Sequence, residues 1–448
     1  MGGYPPLVYH VSVPLAILFW PTVDALLGIN AVFLGVLLLS TYGIGSAFGG
    51  QETGLLAAFV VSMYPILYGL ARHYLLDFPL VAMVTLSIWL LIRAERFENR
   101  GASIAYGLSL GLGLLTKWTF AVFIVGPFLM AIVRALSGRS RRRLTNIALA
   151  LAVGAAVAAP WYLWNLSSLL EVLDMQSVWG SSEGDPVAGS VESWVYYLQA
   201  FVNDQVLLPF AAFLVLGFAA SMARGKRQYG PVLLVCWIVL PYLVLSNLVN
   251  KDPRFTMPYL PAMAVVTALG LVQVRPRVLR MGLIAFLVLF AAFQFAGLSY
   301  GLSRWLPAGL LPAQFSLPVG STRLRVYAEE VHIASPPRSE EWPAQVMLHE
   351  MTDSAERTGI PEPLKLTVVP NVPCLEPNVF AYYALVENLS VHVLGVTGVI
   401  PIDDARHRIS SSDFVVAKTG EQGPAWTVQD AKLLTSGLSN RSGELGCQ

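Results

Sequence analysis

The chain has 448 residues, of which 55% are hydrophobic and only 13% charged, with a net charge of +1 and a mean hydropathy of +0.60. Soluble domains carry about 25% charged residues, so this composition excludes an ordinary soluble enzyme of this length, and nothing in the near-neutral balance suggests a nucleic-acid or strongly polyanionic partner. It points to a polytopic α-helical membrane protein, about two-thirds embedded, with a water-soluble C-terminal part of roughly 150 residues.

The first residues, Met1 to Pro6, contain no basic n-region, so no cleavable leader is expected. Tyr4 to Trp20 is apolar but short and Pro-rich, and reads as a re-entrant or interfacial helix. About ten apolar runs then recur, at 27–46, 52–70, 76–93, 102–116, 118–134, 144–165, 203–222, 230–248, 256–273 and 280–298. Basic residues follow the third run (Arg93, Arg96, Arg100), the fifth (Arg134, Arg139, Arg141, Arg142, Arg143), the seventh (Arg224, Lys226, Arg227) and the ninth (Arg275, Arg277, Arg280). The positive-inside rule makes these loops cytoplasmic. The loop 165–202 has no Lys or Arg and carries Glu171, Asp174, Glu183, Asp185 and Glu192, so it is expected outside.

Residues 102–134 lie between two cytoplasmic loops and must cross an even number of times. Lys117 then sits at the outer tip of a short hairpin. The same parity places Arg72, His73, Asp77 and the loop 250–254 outside, so the unusual polar groups converge on one membrane face.

After Tyr300 charged residues become frequent. Strands are expected at Leu324–Val331, Leu366–Val369, Val391–Val396 and Asp413–Ala417, and helices at Glu341–Thr358, Val379–Glu387 and Thr427–Thr435. The expected organisation is a transmembrane domain over 1–300 and an extracytoplasmic α/β domain over 301–448. Of three cysteines, Cys236 falls in an apolar run and reads as inert, while Cys374 and Cys447 can pair if their domain is outside.

Several polar residues invite a chemical role beside a plainer one. Asp77, next to Arg72 and His73, is either a helix N-cap or a carboxylate that holds an acceptor. Lys117 is either a snorkelling lysine or a cation for a phosphate. Lys251 and Arg254 run against the charge bias of an outer loop, and either bind phosphate or pair with the acidic loop. Pro160-Trp161-Tyr162 suits an aromatic belt at a helix end, and His10 reads as structural. The sequence has no glycine-rich nucleotide loop, zinc-spaced cluster or nucleophile elbow.

Taken in order, these motifs resemble those of lipid-linked-sugar glycosyltransferases of the GT-C fold. Tyr4-Pro5-Pro6-Leu7-Val8-Tyr9 resembles their "PPLYY" segment, and Leu75-Leu76-Asp77-Phe78-Pro79 their "LD-P-L" signature. Leu115-Thr116-Lys117 resembles their "LTKG" hairpin, with Trp118 in place of Gly. Ala159-Pro160-Trp161-Tyr162 resembles their "PW" helix end, and Lys251-Asp252-Pro253-Arg254-Phe255 their "K-PRY" loop, continued by Tyr259-Leu260-Pro261-Ala262. Protein O-mannosyltransferases and aminoarabinose transferases of lipid A are the nearest in pattern.

The resemblance implies a donor in which a sugar is carried on polyprenyl phosphate in a bacterial cytoplasmic membrane, and an external acceptor. Lys117, Lys251 and Arg254 would bind the donor phosphate, Asp77 would be catalytic, and Arg72, His73, Tyr9 and Trp161 would contact substrate. No cofactor or metal is required, and a divalent cation at an acidic site stays open. The family places a first helix and an acidic pair, usually Asp-Glu, ahead of its "PPL" segment. This chain starts at Met1-Gly2-Gly3-Tyr4, so either the sequence begins after that pair or the protein lacks the usual base, and Asp77 is the matched acid. In the second case the alternative is a catalytically inactive relative acting as a membrane scaffold or partner-binding subunit. A transporter would show paired halves and interrupted helices at the midplane, which the sequence does not suggest.

Overall fold

The structure, a computed structural model, describes residues 4–19, 23–137, 140–222, 229–307, 309–320, 322–337, 343–372, 375–396, 400–420, 422–423 and 434. Contacts divide the chain into two compact units, Met1–Asp174 with Pro186–Pro337, and Met175–Asp185 with Arg338–Gln448.

The first unit is helical. Its elements are α1 (Leu7–Phe19), α2 (Val23–Leu27), α3 (Ile29–Gly49), α4 (Gln51–Ser62), α5 (Pro65–Leu70), α6 (Asp77–Arg93), α7 (Arg100–Leu114), α8 (Phe120–Leu136) and α9 (Arg141–Trp164). They continue through α10 (Leu166–Glu183), whose residues from Met175 onward belong to the second unit, then α11 (Val191–Ala200), α12 (Leu207–Met222), α13 (Tyr229–Ser246), α14 (Leu260–Gln273) and α15 (Arg277–Tyr300). Every apolar run is thus largely helical, as a multi-pass membrane protein requires.

Among the described residues, four helices are long and apolar enough to cross a membrane alone: Asp24–Gly49, Arg141–Trp164, Pro253–Gln273 and Arg277–Tyr300. The other runs form shorter or broken helices. Pro65, which has no N–H to give to the preceding turn, opens α5 and separates it from α4. One turn of π-helix, Phe201–Gln205, follows α11 and meets α12 at a bend of 114°, where Leu207 is buried with φ of 70°.

Helix α6 is buried along most of its length, including Phe78, Val81, Ala82, Val84 and Ile88, and so lies inside the bundle with Asp77 at one end. Close crossings depend on small residues. A Cβ on Gly270 of α14 would stand 2.0 Å from the carbonyl oxygen of Gly217 on α12, so only glycine lets these two backbones meet.

At the far end of α6 the chain reverses through Glu95, Arg96 and Phe97, with φ of 48°, 61° and 65°. Left-handed backbone costs roughly 1–2 kcal/mol per non-glycine residue, so this turn has to be held from outside. Phe97 does that. Its ring is buried against Tyr106 and Phe128, at centroid distances of 6.1 and 6.2 Å, and its carbonyl accepts from Asn146 Nδ2 at 2.7 Å.

The first unit runs on past the change in composition near Tyr300 and includes an antiparallel hairpin, β1 (Gln314–Val319) and β2 (Thr322–Ala328). Beyond it, Val331 and Ala334 close a tight turn with reciprocal backbone hydrogen bonds, and His332 takes φ of 51°.

The second unit has a parallel sheet of β3 (Leu364–Val368), β4 (Val391–Gly395) and β5 (Phe414–Val416) in the order β4-β3-β5. Leu364, Leu366 and Val368 of the central strand are buried. Helices α16 (Ala344–Thr358), α17 (Pro377–Val386) and α18 (Ile402–Ser410) complete it. Of these, α18 was not expected: it buries only Ala405 and its sequence is mostly polar. Cys374, Cys447 and nearly all of the helix expected at Thr427–Thr435 lie outside the described residues.

Candidate active site

Asp77 begins α6, yet its side chain caps nothing. Instead Asp77 Oδ1 accepts a hydrogen bond from Lys117 Nζ at 2.8 Å, with the two side chains only 7% and 10% exposed. The plain readings of both residues therefore give way to a buried ion pair. It joins the start of α6 to the hairpin between α7 and α8. Phe255 covers the ammonium, with Nζ 5.3 Å from its ring centroid.

That hairpin is fixed from both sides. Leu7 N–H donates to the carbonyl of Leu115 at 2.9 Å, and Tyr162 Oη donates to the carbonyl of Leu114 at 2.8 Å. Tyr4 stacks on Trp118 at 4.9 Å. The Tyr4-Pro5-Pro6 segment, the hairpin and the Pro160-Trp161-Tyr162 helix end, far apart in sequence, thus meet at one place.

The loop after α13 supplies a second charged cluster. Asp252 caps the 3-10 turn Pro253–Tyr259 through Arg254 N–H at 2.7 Å. The same carboxylate holds the Arg254 guanidinium by Nε at 2.9 Å and Nη2 at 2.6 Å, a two-point clamp that fixes the plane of the cation. His332 Nε2 lies 3.3 Å from Asp252 Oδ1. Arg254 and His332 are both within electrostatic range of Asp77.

Behind this cluster, Gln205 Nε2 donates to Pro253 O and Thr256 Oγ1 at 2.5 and 2.6 Å. Arg325 of β2 pairs with Asp204 at 3.0 Å. The bent π-turn and the hairpin that follows α15 therefore brace the loop.

Burial pushes the His332 imidazole below its ordinary value of 6.5, against the pull of Asp252. Burial also lowers His73, and Arg254, His332 and Arg72 add to that effect. Both rings are neutral near pH 7.

Other residues expected at the site have different positions. Lys251 is buried and its ammonium donates to the carbonyls of Leu245, Ser246 and Leu248 at 3.0, 2.9 and 2.5 Å. It neutralises the carbonyl end of α13. Arg72 turns to α15, donating to Ser299 Oγ at 2.5 Å with its guanidinium over Tyr68 and Phe295. The His73 carbonyl accepts from Asn30 Nδ2 at 3.0 Å. Tyr9 is exposed on α1 and tilts against Tyr74 at 6.3 Å. Trp161 stands edge-on to Tyr162 at 5.0 Å. His10 Nδ1 lies 2.9 Å from the carbonyl oxygen of Pro6, just ahead of α1.

His332 and the clamping role of Asp252 were not anticipated. His332 lies beyond the last apolar run with no motif around it, and only the fold carries it to the loop. Among the described residues, no group of three or more His, Cys, Asp or Glu side chains is placed to hold a metal ion.

Residues 5–164 match a family model described as dolichyl-phosphate-mannose-protein mannosyltransferase. YkcB of Bacillus subtilis, named as a candidate mannosyltransferase, is 31% identical over 166 residues, covering 36% of this chain and 22% of that protein. The undecaprenyl phosphate-alpha-4-amino-4-deoxy-L-arabinose arabinosyl transferase of Erwinia tasmaniensis is 25% identical over 233 residues, covering 49% of this chain and 40% of that protein. The crystal structure of ArnT from Cupriavidus metallidurans bound to undecaprenyl phosphate superposes with a TM-score of 0.51 at 18% identity, over 69% of this chain and 56% of that one. The matches thus span less than half the length of these curated relatives. The motif resemblance holds: the chain has the GT-C fold and is similar to glycosyltransferases of lipid-linked sugars.

Proposed function

We propose that this chain is a membrane glycosyltransferase that moves a sugar from a polyprenyl-phosphate donor to an acceptor on the outer side of a bacterial cytoplasmic membrane. The observation that carries this reading is the buried Asp77–Lys117 pair beside the clamped Arg254. Two cations held at a sparsely hydrated helix end have little to do for stability that an apolar pair would not do as well. They suit a ligand that brings negative charge.

In the reaction, the bond between the sugar C1 and the phosphate oxygen breaks while an acceptor oxygen bonds to C1. The departing polyprenyl phosphate gains negative charge, and Arg254 and Lys117, fixed beforehand by Asp252 and Asp77, stabilise it with little reorganisation. Asp77 has two duties in this scheme: it positions Lys117, and it is the carboxylate at hand for the proton that the acceptor gives up. Lys251 supports the loop through the end of α13, and the acceptor contacts are assigned to Tyr9, beside Tyr74, and Trp161, beside Tyr162.

The test uses proteoliposomes holding the purified chain and a radiolabelled sugar on undecaprenyl phosphate, with release of the lipid phosphate as readout. Lys117→Gln and Arg254→Gln should each slow release by about a hundredfold, the usual effect of removing one charge-stabilising donor. Unchanged release in both variants would overturn the proposal.

A further inference from the structure

A second charged recess lies at the opposite end of the helical unit. A cavity of about 540 Å³ opens where α3, α6, α8 and α13 end or begin, with Phe48, Ile92 and Ala131 among its apolar lining and Glu95, Arg96 and Arg134 among its charged lining. Helix α6 runs from Asp77 to Arg93, so the recess is about 25 Å from the proposed transfer site at 1.5 Å per residue. That distance approaches the thickness of a bilayer's hydrocarbon core, which puts the recess at the level of the opposite headgroups.

We infer that this recess binds one phospholipid with an ethanolamine phosphate headgroup. Guanidinium groups such as those of Arg96 and Arg134 match a phosphodiester by charge and by paired N–H geometry. Glu98 is already engaged by Arg143. Glu95 is the remaining lining carboxylate, and it complements a primary ammonium. An anionic glycerol headgroup would meet that carboxylate with no cation to offer. The apolar wall receives the first acyl methylenes, which a soluble phosphate ester lacks.

The backbone supplies an independent observation. Glu95 and Arg96 are two of the three consecutive left-handed residues, and the third, Phe97, is the buried anchor. Left-handed non-glycine residues persist where surrounding structure over-determines them, and ligand clamps are among the places they collect. Here the strained turn presents one carboxylate and one guanidinium to the same cavity.

The same geometry offers clean variants. Glycine and asparagine both accept left-handed backbone, so Arg96→Gly and Glu95→Asn remove the charges without threatening the turn. The purified chain would be exchanged into micelles containing phosphatidylethanolamine or phosphatidylglycerol with matched acyl chains, and retained lipid counted by native mass spectrometry. The expected result is one phosphatidylethanolamine retained in preference to phosphatidylglycerol. Arg96→Gly should weaken that retention about tenfold, the effect of losing one charge-assisted hydrogen bond, with an unchanged or raised melting temperature. Glu95→Asn should abolish the preference between the two lipids. Equal retention by wild type and both variants would overturn the inference. So would equal binding of the two lipids by wild type, or displacement of the lipid by glycerophosphoethanolamine as readily as by the whole lipid.

Discussion

Both ends of α6 carry acid–base pairs, but they are built in opposite ways. At the Asp77 end the central pair is buried and joins elements distant in sequence, Lys117 to the start of α6, while Arg254, partly buried, is clamped within its own loop and that loop is met by His332 and Gln205. At the Arg93 end the Glu98 side chain is half exposed where Arg143 meets it. Arg93 itself rests over the Trp89 ring. The difference shows that chemical type says little about what a charge does in this molecule. Dehydration is what makes a charge both costly and useful.

The largest expected effect breaks the buried pair on one side. Asp77→Ala leaves the Lys117 ammonium without its carboxylate at a site where water is scarce, and loss of one partner of a buried pair costs about 3–5 kcal/mol. Thermal unfolding in detergent should show a large drop. Adding Lys117→Met removes the orphaned charge as well, so the double variant should recover most of that stability while transferring no sugar. Recovery of activity along with stability would show that the pair serves the fold alone.

These two residues were legible in the sequence because a carboxylate and an ammonium next to apolar runs stand out, and the loop parity already put them on one face. The helices were legible for the same reason, as long apolar runs. Other features have no local signature. Lys251 has the composition of a phosphate ligand, but the carbonyl end of α13, which exists only once the helix has formed, takes its ammonium. His332 reaches Asp252 across about eighty residues of chain, through the turn that Val331 and Ala334 close. The left-handed turn at Glu95-Arg96-Phe97 contains no glycine or asparagine to announce it; the packing of Phe97 imposes it. Polar α18 does carry Ile402, Ala405 and Ile409 at helical spacing, but three apolar residues in a nine-residue, otherwise polar stretch are too few to stand out.

A smaller effect distinguishes the ends by pH. His332 has its folded-state value below 6.5 because burial disfavours the imidazolium. The unfolded chain therefore binds more protons in the window just below 6.5, and stability must rise with pH through it. The contribution is complete above 6.5 and is lost as the pH falls toward the folded-state value. His332→Gln keeps a polar side chain without this titration, so the melting temperature of the variant should fall less between pH 7 and pH 5 than that of the wild type. Parallel decline in both proteins would assign the acid sensitivity elsewhere, with His73 the next ring to substitute, since it is shifted in the same direction.

The smallest effect belongs to the pair at the other end. Glu98→Gln removes the carboxylate that Arg143 contacts, but Arg143 keeps its hydrogen bond to the Ala135 carbonyl at 3.4 Å, and the Glu98 side of the pair is open to water. Exposed pairs of this kind gain little Coulomb energy and are screened within about 10 Å at 0.1 M salt. Melting curves at low and high salt should therefore coincide for variant and wild type, apart from a slight loss at low salt. The comparison between the two ends depends on this near-silence. If Glu98→Gln were as damaging as Asp77→Ala, burial would not be what separates them. The strained turn that directly precedes it would then have to be reading the Glu98 charge, which would make the second end as tightly built as the first.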